Sequence, residues 1–79
     1  MDQQTLYTIK YLVKKIIARK IGIYPLTIYI SLDEFDIVDI GNGQAIVTGE
    51  YSYGDRIGRY KIVFDLSDIH PVECEVSTC

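Results

Sequence analysis

His70, Cys74 and Cys79 follow one another as H-x3-C-x4-C, three soft donors of the type that ligate zinc. A closed structural site needs a fourth ligand. Cys74 alternates with Val72 and Val76, a spacing that directs it into a core with them. The expectation is therefore no metal and two reduced thiols. An internal Cys74–Cys79 disulfide is awkward for a residue held in a strand, whereas Cys79 is free to cross-link two chains. Asp33, Glu34, Asp36 and Asp39 form an acidic cluster that could hold a hard cation or do acid–base work. Their spacing lacks the Asp-x-Asp-x-Asp-Gly pattern of a calcium loop, and turn formation and edge protection explain them better. Gly54-Asp55-Arg56-Ile57-Gly58 has the look of a phosphate loop, but it opens into a strand pattern and reads as a turn. The one histidine has no nucleophile beside it in a triad-like context, so no enzyme and no cofactor are expected.

A fourth group of residues points to binding. Lys10, Lys14, Lys15, Arg19 and Lys20 are five of the eight bases, and all lie within the first twenty residues against one acid, a net of +4. Ile21 to Cys79 carries ten acids and three bases, a net of −7. A one-sided field of this kind selects partners and steers encounters. Tyr7, Tyr11, Lys14, Lys15 and Ala18, with Arg19 at the margin, project from one side of a helix, where cations beside aromatic rings can grip phosphates and stack on bases. Lysines near a helix C-terminus also simply complement its dipole. The overall charge of −3 argues against a dedicated nucleic-acid binder.

These residues are positioned by elements whose period changes once, near Gly22. Leu6, Ile9, Leu12, Val13, Ile16 and Ile17 recur at helical spacing and predict a helix from Gln3 to Ile21, capped by Asp2 and stopped by Gly22 and Pro25. Beyond Pro25 the period is two. Leu26, Ile28, Ile30 and Leu32 define one face of a strand, which either continues through a bulge at Asp33-Glu34 to Phe35 and Ile37 or breaks into two. Gly41-Asn42-Gly43 signals a hairpin. Ala45, Val47, Gly49, Tyr51 and Tyr53 alternate with polar residues and Ile46, and Gly54 to Gly58 forms the next turn. Tyr60, Ile62, Phe64 and Leu66 make a strand face opposite Arg59, Lys61, Val63 and Asp65. Ser67 to Pro71 turns the chain into a last strand in which Val72, Cys74 and Val76 face inward.

The pattern predicts a single α+β domain over residues 1–79: one N-terminal helix on a curled antiparallel meander of four to five strands. In topology alone it resembles the layout of cystatin-like folds. The helix has one apolar stripe and needs it to cover the sheet, so it is not expected to lie on a membrane. No stretch approaches the ~20 apolar residues of a membrane span, and the Met-Asp-Gln-Gln opening with Lys10, Lys14 and Lys15 behind it does not read as a secretory signal. A cytoplasmic location follows.

One helix covers one sheet face. The other is expected to expose Tyr29, Ile46 and Val63 among Thr27, Thr48, Glu50 and Lys61, a mixture too apolar to stand idle in so small a domain. The expected function is a small non-enzymatic interaction module that forms a homodimer through a sheet face or edge, or takes a protein partner. The alternative is a nucleic-acid-associated protein that binds weakly through the basic helix.

Overall fold

The computed structural model describes residues 3–30 and 35–78. Helix α1 spans Gln3–Ile21 and is followed by a single 3₁₀ turn, Pro25–Thr27. Five strands then form one antiparallel sheet: β1 (Tyr29–Ile30), β2 (Asp36–Gly41), β3 (Gln44–Tyr53), β4 (Arg56–Asp65) and β5 (His70–Thr78). Strands β1 and β2 both pair with the same edge of β3, and β4 and β5 extend the sheet on its other side. The architecture is the expected α+β layout, with the sheet not closed into a barrel. The Asp2 cap and the bulge at Asp33-Glu34 lie outside the described residues.

The helix ends where the sequence places its stop. Gly22 takes φ +76, and the Ala18 carbonyl accepts from the N–H groups of Gly22 and Ile23 at 2.8 and 3.0 Å. A left-handed residue at this point is the usual way for a helix to close its last carbonyls. The buried stripe is rotated from its expected position. Ile9, Val13 and Ile17, on one i, i+4 ridge, are fully buried, while Leu12 and Ile16 are only half-buried. Ala18, expected on the outer face, is also buried. The 3₁₀ turn lies beside the helix, and Ala18 belongs to the same buried cluster as Ile17 and Ile28.

The strand expected over Leu26–Leu32 is shorter. Pro25 fixes φ at the first position of the 3₁₀ turn, and Thr27 closes it by donating N–H and hydroxyl to the Tyr24 carbonyl at 3.0 and 2.6 Å. Leu26 is thereby turned out to solvent, 95% exposed, and pairing starts only at Tyr29. Between Ile30 and Asp36 the sequence has five residues, whereas their partners Tyr51 and Thr48 are separated by two. That mismatch fits the second of the two expected readings, a break into two strands.

The centre of the sheet is regular. Strands β3 and β4 pair without interruption from Gln44↔Asp65 to Tyr53↔Arg56. The turn between them is only Gly54-Asp55, with Gly54 at φ +57, so the expected Gly54–Gly58 turn is shorter and Gly58 lies within β4. Gly58 has a packing role. A Cβ there would come within 2.6 Å of the Tyr51 ring and 2.3 Å of the Ser77 carbonyl oxygen. The Tyr51 hydroxyl reaches over this gap and donates to that carbonyl at 3.2 Å.

Two bulges set which face the outer strands present. The β2–β3 hairpin turns on Asn42-Gly43, both at positive φ, and pairs Gly41 with Gln44. A register shift between Asp39 and Gly41 then brings Val38, rather than Asp39, opposite Ile46. Ile37 is thereby directed to the core and Val38 to the other face. In β5 the shift falls between Pro71, opposite Phe64, and Glu73, opposite Val63. Val72 is the extra residue, so it points outward instead of lining up with Cys74 and Val76. Beyond it, Cys74 and Val76 pack on the core and Glu73 and Glu75 face solvent.

The core lies between α1 and one sheet face: Ile9, Val13 and Ile17 against Ile28, Ile30, Val47, Tyr51, Tyr60, Ile62 and Phe64. Ile17→Ala is expected to cost about 2–5 kcal/mol, as for other well-packed aliphatic deletions, and Ile16→Ala clearly less, read from urea unfolding midpoints. Equal losses would mean that the buried ridge is misassigned. Gly58→Ala is expected to cost about 1–3 kcal/mol by overpacking, because one of the two obstructions is backbone; an unchanged midpoint would show that Tyr51 and Ser77 move aside freely.

Candidate interaction surfaces

The basic helix face forms as a surface but is partly occupied by its own contacts. Tyr7 and Tyr11 are exposed, as are Lys15 and Arg19, while Lys14 is half-buried. The Lys15 ammonium stands 5.3 Å from the centre of the Tyr11 ring, a cation–π contact within one helical turn. The Tyr7 hydroxyl accepts from Gln3 Nε2 at 3.4 Å. Arg19 and Lys20 instead edge a concavity completed by Ile16, Pro71 and Cys74, where the helix end meets β5. The helix cations thus divide between an aromatic flank and a separate cleft.

The second surface is the sheet face turned away from α1. The register arranges it in rows across the strands. One row reads Val38, Ile46, Val63, Glu73; the next reads Asp36, Thr48, Lys61, Glu75; at the far end Tyr29 and Ile57 flank Ser52. Tyr29 is exposed as expected and Ile46 is half-buried. Val63 is on this face but only 9% exposed, because it forms the floor of a small pit walled by Lys61, Glu73 and Glu75. Its place as an exposed contact residue is taken by Val38 (56%) and Ile57 (51%), which the sequence reading did not single out. Ile57 lies in the segment whose pattern reads as a turn, and the exposure of Val38 depends on the bulge beside it. Thr27, expected here, belongs to the 3₁₀ turn instead. Glu50 and Arg59 face each other across β3 and β4 with a loose 3.9 Å contact.

Both sheet edges are guarded. Strand β5 carries Pro71, which has no N–H to offer, the Val72 bulge, and the charges of Glu73 and Glu75. Strand β2 is six residues long, is bulged near its end and carries Asp36 and Asp39. These are the features that discourage a free edge from adding a further strand.

The remaining candidates do not assemble into a site. Among the described residues, no three His, Cys, Asp or Glu side chains come together to hold a metal ion. Cys74 faces the core as a free thiol, and His70 is exposed at the start of β5. Cys79, Asp33 and Glu34 lie outside the described residues. The Asp39 carboxylate accepts from the Gly41 N–H at 2.8 Å, which supports the hairpin.

Titrating groups gather at the β4–β5 turn. Asp65 accepts from both the N–H and the hydroxyl of Ser67, at 2.9 and 2.6 Å, and these bonds hold its carboxyl below the usual range. A hydrogen bond to the Asp68 carboxylate, aided by the charges of Asp68 and Asp65, raises the pKa of His70. On the core side, burial raises the Tyr60 phenol strongly, with the charge of Asp36 adding to it; its hydroxyl has no hydrogen-bond partner among the described residues. A neutral phenol in an apolar core fits a packing role rather than proton transfer.

Comparison with protein-family models, with curated proteins and with solved structures finds no match to this chain. Among the described residues no helix is long and apolar enough to cross a membrane.

The Asp68–His70 pair can be tested by NMR titration. Asp68→Asn is expected to lower the His70 pKa toward its ordinary 6.5. Because the folded value is raised, the pair stabilises the fold below the ordinary pKa, and the contribution disappears as pH rises through the folded value. An unaltered titration in Asp68→Asn would assign the shift to another group.

Proposed function

We propose that the chain is a small non-enzymatic interaction module that associates with itself. One observation carries this reading. The sheet face not covered by α1 keeps Val38, Ile57 and Tyr29 more than half exposed, with Ile46 half-buried between β2 and β4. A small domain gains stability when a face of this kind is buried against another protein surface. A reducing, cytoplasmic setting is part of the same reading. Light scattering across a wide concentration range is the test. A mass rising toward that of a dimer is expected, and a strictly monomeric mass at millimolar concentration would overturn the proposal.

The second reading, weak polyanion binding by the helix, draws support from Tyr7, Tyr11, Lys14, Lys15 and Arg19, which lie on or beside the face of α1 away from its fully buried ridge. It ranks below the first for two reasons. Lys15 is engaged with Tyr11. The −7 body also lies close to the +4 helix: the molecule measures 36 × 23 × 18 Å, only a few Debye lengths of about 8 Å at physiological salt. Any retention on immobilised RNA or DNA is therefore expected to be lost steeply with salt and abolished by Lys14→Glu with Lys15→Glu, the circular dichroism staying unchanged. Salt-resistant, sequence-selective binding would promote this reading over the first.

A further inference from the structure

We infer that the occupant of the open sheet face is a second copy of this chain, packed face to face about a two-fold axis along the Val38–Ile46–Val63–Glu73 row. This rests on the self-association proposed above and adds its surface and register.

The choice of face over edge comes from the strands. Helix α1 already covers the inner face, and both edges carry charges, bulges or proline that oppose further pairing. The outer face, with Val38 and Ile46 set between charged rows, is the sheet surface that remains.

The choice of axis comes from charge. A two-fold axis lying along one row sets each residue of that row against itself and exchanges the rows on either side. About this axis Ile46 meets Ile46 and Val38 meets Val38, an apolar centre. The row containing Thr48, Lys61 and Glu75 then meets the row containing Gln44, Asp65 and His70. Lys61 falls opposite Asp65, and Glu75 opposite His70. Each pair occurs twice by symmetry, and each joins opposite charges when His70 is protonated. The strands of the two sheets run nearly aligned, the common geometry of sheet-on-sheet packing. An axis along the Thr48–Lys61 row instead would set the Ile46–Val63 row against Glu50 and Arg59, burying charge on apolar groups. In the chosen arrangement Glu73 meets its own copy at the rim on β5, an unfavourable contact, and Tyr29 and Ile57, three rows from the axis, lie past the ends of the partner's strands and stay exposed.

The test is a complementary pair of charge reversals, each followed by light scattering and by circular dichroism as a check of folding. Lys61→Glu alone places two acids opposite each other twice, and Asp65→Lys alone places two bases opposite each other twice. Each is expected to weaken the homodimer more than ~10-fold. An equimolar mixture is expected to form heterodimers of near wild-type affinity, because every altered contact is then complementary. Glu75→Lys mixed with His70→Glu repeats the test with Asp65 left intact, should Asp65→Lys disturb folding. Glu73→Gln is expected to tighten the dimer. Ile46→Lys is expected to dissociate it. A dimer indifferent to Ile46→Lys and Lys61→Glu would overturn this face while leaving self-association standing. Weakened single variants without recovery in either mixture would overturn the axis. A wild-type chain that stays monomeric would remove the underlying reading as well.

Discussion

The unbroken pairing of β3 with β4 is the constraint on which the rest of the molecule depends. Ten successive residue pairs, closed by a two-residue turn, give the sheet a straight reference against which every other strand is placed. Tyr51 ties this ladder to its neighbour: its ring occupies the space above Gly58 and its hydroxyl bonds to the β5 backbone. The largest fully buried side chain of the core therefore also fixes the spacing of three strands. The helix adds its ridge of Ile9, Val13 and Ile17 to a surface that the ladder has already levelled.

The outer strands are fitted to this ladder by correction. A strand that leaves a tight hairpin inherits its register from the turn, and a one-residue change exchanges its two faces. Left uncorrected, the Asn42-Gly43 turn would set Asp39 opposite Ile46 and send Ile37 outward. The β4–β5 turn would likewise carry Glu73 into the core. Bulges at Ile40 and Val72 each insert one residue and restore the apolar set to the inside. Both sit close to their turns, so most of each strand benefits. Ile69, at φ +50, shows a related compromise: a β-branched residue is held in an unfavourable backbone region while its side chain packs against the core.

These corrections also shape what is left outside. The β2 bulge directs Val38 outward beside Ile46, and the β5 bulge puts Glu73 and Glu75 there. The open face thus acquires an apolar centre with charged rows beside it. The cations of the helix are on the other side of the core, and they partly satisfy themselves, as Lys15 does on Tyr11. The charge split along the chain becomes a split between two surfaces, and the one richer in exposed apolar side chains is the anionic one.

The sequence by itself determined what depends on near neighbours. The helix from Gln3 to Ile21, the Gly22 stop, the positive-φ residues of both tight turns and the strands from β2 onward are legible, because capping, turn geometry and alternation involve residues a few positions apart. So was the charge division. Tertiary structure decided the rest, since a period of two says that alternate residues face apart but not which neighbour sits opposite. Leu26 leaves the sheet because Pro25 and Thr27 close a turn. Ala18 joins the buried cluster although the helical period sets it on the outer face. Val38 replaces Val63 as an exposed contact because a bulge sets one outward and long side chains wall in the other. Each of these outcomes turns on a register or a covering element that no local pattern encodes.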